Sequence, residues 1–388
     1  MRLFRTWSLA AAFVVLGSSG CNMSMTHMEA REQAQERWNK ARADVKAQLA
    51  ADQLAAGNVA EAGTEINKAL ALQPDDPKLK VLRARTALAA GDAARAQALL
   101  EGVTLEGVQQ AEVAYMLGVI QQQHLKWDQA FGYFAQAAEL NPDESAYYVA
   151  VVQAMLQMGQ PREAIEYLVA NEERFGWTPA YHAAIAECHE QLRQWDDAAT
   201  AWQMVLDAHE DEGVSERLSS ALFRAGRFDD ALPLLRAAVE NKESPASEST
   251  RRMYAECLIE TGEFEAARQE LMDLLSLSPR DTALLMLLSR SYIELNRLDL
   301  ALRTARRAID ASPQEFEPLE LAAAVSYRMG RMPQATAFAR KAQSISPENE
   351  SPVVRQILEI AKTRAAQYKS AQRTPRNETV VDPVETAQ

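Results

Sequence analysis

The sequence predicts an all-α protein, a linear array of about nine helical hairpins closed by a C-terminal capping helix. Three observations carry this. Ala, Leu, Glu, Gln and Arg dominate the 388 residues, all good helix formers, while Gly and Pro number only 15 each. Long β-branched runs, the mark of buried strands, are missing. An eighteen-residue pattern also returns along the chain, as Gly57–Pro74 (GNVAEAGTEINKALALQP), Gly262–Pro279 (GEFEAARQELMDLLSLSP) and Gly330–Pro347 (GRMPQATAFARKAQSISP).

The N-terminus has its own logic. Met1–Trp7 carries Arg2 and Arg5, Leu9–Leu16 (LAAAFVVL) is apolar, and Gly17–Gly20 are small residues before Cys21. A basic start, a short apolar core and small residues make residues 1–20 a signal peptide for export. The apolar run falls short of the roughly 20 residues that span a bilayer. The segment 21–27 reads as a tether. Small residues followed by Cys resemble a bacterial lipoprotein signal, in which the Cys becomes the lipidated first residue of the mature chain. That resemblance implies lipidation of Cys21, an anchor in the membrane, and a place in the periplasm or outer membrane of a bacterium. Ser18 stands where that family usually has Leu, and the alternative is ordinary cleavage with no lipid.

The prolines set the period. Pro279, Pro313 and Pro347 are evenly spaced, at a period of about 34 residues, and Pro74 and Pro142 lie two periods apart. Twelve residues before each stands an alanine: Ala62, Ala130, Ala267, Ala301 and Ala335. Twenty-four before stands a small residue: Ala50, Gly118, Ala255, Ser289 and Ala323. Counting on this frame starts units near 43, 77, 111, 145, 179, 212, 248, 282 and 316. The stretch 28–41 leads into the first, so that the array runs from 28 to 349.

Each unit has a simple physical reading. About fourteen residues with apolar spacing i, i+3, i+4, i+7 form an amphipathic helix. A Gly such as Gly57, Gly91 or Gly159 ends it in a left-handed turn. A second helix follows and stops near the Pro, which lacks an N–H and disfavours helical geometry in the residue before it. The small slots let the two helices approach within ~8–10 Å. One hairpin leaves an apolar flank open, and the next hairpin covers it.

This pattern resembles the tetratricopeptide repeat, from Ala43 to about Asn349. The resemblance implies a right-handed α-solenoid with a concave inner face that binds a protein or peptide partner. The unit from Ser145 departs by placing Pro161 early in its second helix, and the unit from Pro179 lacks the closing Pro. Val353–Tyr368 supplies a capping helix, assigned to 350–368, and 369–388 is polar and carries two Pro, the composition of a disordered tail. Asn241–Glu248 (NKESPASE) is the weakest seam, a longer loop between units.

Several chemistries find no support. The net charge of −13, or −15 without the first twenty residues, opposes nucleic-acid binding. No G-x-x-x-x-G-K-[ST], G-x-S-x-G or H-E-x-x-H occurs. His182 and His189 share a helix face about 10 Å apart along the axis, too far for one metal. Cys188 and His189 are adjacent on a helix and diverge by about 100°. Cys188 and Cys257 occupy equivalent slots two units apart and read as small structural residues. Trp195 and Trp202 read as a core stripe. The expectation is therefore a non-catalytic protein without cofactor or metal.

The resemblance also implies which residues line the inner face. In the first half these are Arg85, Tyr115, Val119 and Gln122, then Val149, Gln153 and Leu156. In the second half they are Glu187 and Glu190, then Arg252, Glu256 and Ile259, and finally Arg290 and Tyr327. The stretch from Tyr115 to Leu156 is more apolar and that from Glu187 to Glu260 more charged, a gradient suited to an extended or helical segment. The Lys/Asn set with which some relatives clamp a C-terminal carboxylate is not found. The leading expectation is a scaffold of the cell envelope. The alternatives are a self-associating structural protein, or an enzyme or sugar-binding subunit using Cys188 and His189.

Overall fold

In a computed structural model, residues 27–175, 178–209, 211–348 and 351–373 are described. The expected signal peptide and Cys21 lie outside them, as do 374–388. Among the described residues every regular element is a helix and there is no strand. The chain divides into two compact units at Tyr147/Tyr148.

The first unit holds α1 (His27–Ala55), α2 (Val59–Leu72), α3 (Pro77–Ala89), α4 (Ala93–Leu100), α5 (Gly107–Gln123) and α6 (Trp127–Leu140). The boundary falls inside α7 (Ser145–Gln157). The second unit continues with α8 (Pro161–Val169), the single turn α9 (Glu172–Phe175), α10 (Pro179–Gln191) and α11 (Trp195–Ala208). It goes on through α12 (Glu212–Arg224), α13 (Phe228–Glu240), α14 (Glu248–Glu260) and α15 (Phe264–Leu277). It ends with α16 (Thr282–Glu294), α17 (Leu298–Ala311), α18 (Phe316–Arg328), α19 (Met332–Ile345) and α20 (Pro352–Arg373).

The turn inside each hairpin has one design, three residues with a left-handed residue in the middle. In α1–α2 that residue is Gly57 at φ 79°, whose N–H donates to Leu54 C=O while Asn58 N–H reaches Gln53 C=O. Bonds of this kind satisfy carbonyls that a helix end leaves open. The same two bonds close the turns at Leu125, Arg193 and Asn296, which adopt φ of 56°, 57° and 55° without being glycine.

Packing follows from the small slots. Ala62, Ala130, Ala267, Ala301 and Ala335 are all fully buried, where one helix meets the next. At another slot Ser289 replaces alanine, and its hydroxyl donates to Ala301 C=O across the hairpin at 2.9 Å. In the first unit Ala43 and Ala50 of α1, Ile66 and Ala69 of α2 and Leu79 of α3 form one core, and α3, α4 and α5 form the next. In the second unit a continuous core links α10 to α17, and Val354, Ile357 and Leu358 of α20 cover α18 and α19. Among the described residues these cores join helices that are neighbours along the chain. That is the nearest-neighbour architecture of an α-solenoid.

Two boundaries differ from the sequence expectation. The helix α5 starts at Gly107, four residues before the expected 111. The cause is α4, which stops after Leu100 as Gly102 turns left-handed at φ 75°, so that the next helix starts early. The helix α20 runs to Arg373, five residues past 368. Lys369–Arg373 (KSAQR) contains no breaker, and the first proline beyond it is Pro375. Pro161, noted as a departure, sits at the first position of α8, where its missing N–H costs nothing. Among the described residues no helix is long and apolar enough to cross a membrane.

Candidate partner-binding face

The first helices of successive hairpins repeat a set of rows, one row position per repeat. In the first unit Arg85 on α3 pairs with Glu112 on α5. Tyr115, one turn on from Glu112, packs between the tilted rings of Phe134 and Tyr147, at 5.5 Å and 5.1 Å between ring centroids. Burial pushes the Tyr115 phenol above its ordinary range, and the nearby Glu144 carboxylate adds to this. Val119 and Gln122 continue the row, half-buried.

In the second unit the rows are charged and cross-linked. Glu190 on α10 accepts from Trp202 Nε1 at 2.8 Å and from Arg217 Nη2 at 2.7 Å. The Arg217 guanidinium lies over the Trp202 ring at 4.7 Å, a cation–π contact, and also reaches Glu187 at 3.6 Å. On the next hairpins Thr250 donates to Glu216, Arg252 pairs with Asp281 at 2.9 Å, and Arg290 pairs with Glu260 at 2.8 Å. The links of Arg217, Thr250 and Arg290 each join one first helix to the next, and Arg252 reaches the residue that caps the start of the next first helix. Partly exposed pairs of this kind contribute about 0–1 kcal/mol each, so they fix register more than stability.

Two carboxylates on this face stand out. Burial lifts the Glu187 carboxyl above the usual carboxylate range, against the opposing pull of Arg217. Burial does the same to Glu256, against Arg252 and Arg290. Both glutamates are half-buried, and each would gain a further charge-assisted hydrogen bond from a donor laid along the row.

The structure separates the expected residues into groups. Glu187 and Glu190 meet through Arg217, and Arg252, Glu256 and Arg290 act on one another. Arg85, Gln153, Arg290 and Tyr327 are exposed, and Val149 is half-buried. Leu156 and Ile259 are core residues, only 6% and 4% exposed, because their apolar side chains turn toward neighbouring helices. They are withdrawn from the face. Residues that the sequence reading passed over are Glu112, Glu216, Arg217 and Asp281. Their signal was an opposite charge or hydroxyl 27 to 34 residues from its partner, the span from one first helix to the next.

The other candidates are placed as well. Cys188 and Cys257 are free and fully buried, and burial pushes both thiols up to about 12. A thiol so held is a poor nucleophile. His189 bonds through Nδ1 to Gln194 Oε1 at 2.9 Å in the turn. Trp202 is buried, and Trp195 is half-buried with Arg224 over its ring at 4.8 Å. No group of His, Cys, Asp or Glu among the described residues is arranged to hold a metal. At the seam Asn241–Ser247, an open cleft of about 530 Å³ lies between α12, α13 and the start of α14, lined by Glu212, Glu216, Ser219, Ser247 and Thr250.

Family models described as tetratricopeptide repeat match residues 53–120, 222–290 and 286–350. A tetratricopeptide-repeat protein, YpiA of Bacillus subtilis, is 34% identical over 93 residues, 24% of this chain. The chain spans only 21% of that relative's length. Among solved structures, that of PilF from Pseudomonas aeruginosa aligns with a TM-score of 0.48 at 17% identity, covering 56% of this chain and 99% of that one. The C-terminal part of a repeat protein from Cytophaga hutchinsonii aligns at 0.49 and 12% identity, covering 61% and 96%.

Proposed function

The chain belongs to the tetratricopeptide-repeat family, and from that premise we infer that it is a non-catalytic scaffold holding a protein or peptide partner along the first-helix rows. The observation that carries this is the register of those rows. Polar and aromatic side chains recur there on consecutive hairpins, half-exposed and held in place by links between helices. A segment laid along the rows of the second unit would meet the half-buried carboxylates of Glu187 and Glu256. In this proposal residues 1–20 export the chain, Cys21 carries the lipid, and the scaffold works in the periplasm or at the outer membrane of a bacterium. The arrangement of Arg2, Arg5, Leu9–Leu16 and the small residues before Cys21 supports that reading. Two acyl chains would hold it there, at about 0.8 kcal/mol per buried CH₂.

Site-specific photocrosslinking in whole cells tests the scaffold. Crosslinkers at Gln153, Glu256 and Tyr327 should capture one and the same protein, while crosslinkers at the exposed second-helix residues Gln203 and Gln269 should not. Equal capture from both sets, or none from the first, overturns the assignment. Metabolic labelling with a fatty-acid precursor tests the anchor: the label should enter the wild type and be absent from Cys21→Ser.

A further inference from the structure

The N-terminal helix carries an apolar stripe that the rest of the array would bury. Val45 and Leu49 on α1 are 71% and 43% exposed. Their counterparts in the next repeat, Leu79 and Arg83, are 4% and 8% exposed. One repeat further, Val113 is 1% exposed. Leu79 is covered by Ile66 and Ala69 of α2, and Val113 by Ala96 and Leu100 of α4, in each case the second helix of the hairpin before. No hairpin precedes α1 among the described residues, and Trp38, one heptad before Val45, is 61% exposed on the same side.

The charges around the stripe are one-sided. At about 100° per residue, Arg31, Gln35, Trp38, Arg42, Val45 and Leu49 fall within an arc of about 80°. No carboxylate between residues 28 and 53 shares that arc; Glu29, Glu32, Glu36, Asp44 and Asp52 lie outside it. This is a cationic apolar stripe on a chain of net charge −13. Two copies meeting through it would set Arg31 and Arg42 against the same two cations. The stripe begins ten residues beyond Cys21, so a lipid on that residue would hold it close to a bilayer.

We propose that this face of α1 lies on an anionic membrane surface, with Trp38, Val45 and Leu49 at the headgroup level and Arg31 and Arg42 on the lipid phosphates. Trp suits that depth, having an apolar body and a polar N–H. The contact is weak alone, but an acyl anchor raises its effective concentration. The acidic remainder of the chain is repelled by the same surface, so the contact fixes which end of the array meets the bilayer. The proposal rests on the envelope reading above and extends it from the anchor to the orientation.

The test uses the full-length chain with vesicles of phosphatidylglycerol and phosphatidylcholine whose acyl chains carry bromine, a contact quencher of tryptophan. Fluorescence quenching should be larger in the wild type than in Trp38→Phe, and the difference should vanish in phosphatidylcholine alone. Replacing Arg31→Gln and Arg42→Gln should weaken vesicle binding of the Cys21→Ser chain about fivefold per charge. Equal quenching in the wild type and Trp38→Phe overturns the proposal. So does protection of Trp38 from aqueous iodide that grows with protein concentration and needs no lipid, since a second copy then occupies the face. The anchor is judged separately: if it is wrong, wild type and Cys21→Ser bind vesicles alike while the Trp38 signal persists. If the anchor holds and this inference fails, the wild type binds through Cys21 with no Trp38 signal.

Discussion

Single residues in this chain are constrained by how closely one helix approaches the next. Gly118 on α5 faces the ring of Phe134, and a Cβ there would overlap ring carbons Cδ1 and Cε1 and lie 3.1 Å from Cζ. Phe134 is fully buried and has no room to withdraw. Gly118→Ala should therefore destabilise the first unit by about 1–3 kcal/mol, read from urea unfolding, although alanine favours helix elsewhere. The buried thiols give a second residue-scale expectation. An unfolded chain loses a thiol proton near ~8.5, whereas Cys188 and Cys257 hold theirs to about 12. Their contribution to stability is therefore complete below pH 8 and falls as pH rises toward 12, by about 1.4 kcal/mol per pH unit for each thiol. The double variant Cys188→Ala with Cys257→Ala should show a shallower loss of unfolding free energy between pH 8 and 10 than the wild type. An unchanged slope would mean that the thiols are not held protonated.

At the scale of the element, the turn inside each hairpin is the recurring device, and two of these turns work against their own residue. Leu125 and Arg193 adopt a left-handed conformation that costs an L-residue roughly 1–2 kcal/mol. Leu125 is also 72% exposed and contributes little packing. Leu125→Gly and Arg193→Gly should each raise stability by about 0.5–1 kcal/mol, and the melting temperature should show it; Gly91→Ala should do the opposite. The turns also show what could be read from the sequence. Gly57, Gly91 and Gly159 announced their turns, the alanines at twelve before proline announced the close contacts, and the helical class followed. The early start of α5 was hidden, because Gly102 cuts α4 short only through its backbone conformation. The binding face was legible only in part. Glu187 and Glu256 could be placed on it by repeat position, but the burial of Leu156 and Ile259 depends on how closely the neighbouring helices pack over them, which repeat position does not give. The pairing of Arg217 with Glu190 needed the distance between hairpins, which a period alone does not give.

For the whole molecule, the decisive fact is that each core is local. A large cavity should then be felt by its neighbours and hardly beyond. Leu271 on α15 is fully buried in the core that links α10 to α17. Leu271→Ala should cost about 2–5 kcal/mol there. Hydrogen exchange should quicken in α14–α17 while the amides of α1–α6 keep their protection, as nearest-neighbour coupling requires. Uniform acceleration along the chain would show a single cooperative block instead.

The equal spacing of Pro279, Pro313 and Pro347 has a genetic corollary. A gene encoding such a chain can grow or shrink by whole in-frame blocks of that length, since a copied block arrives with both of its mating surfaces already shaped. Tandem duplication of residues 282–315 should yield a longer, soluble, fully helical product. Duplication of 282–298, half a block, should leave a helix with nothing to lean on and send the product to inclusion bodies.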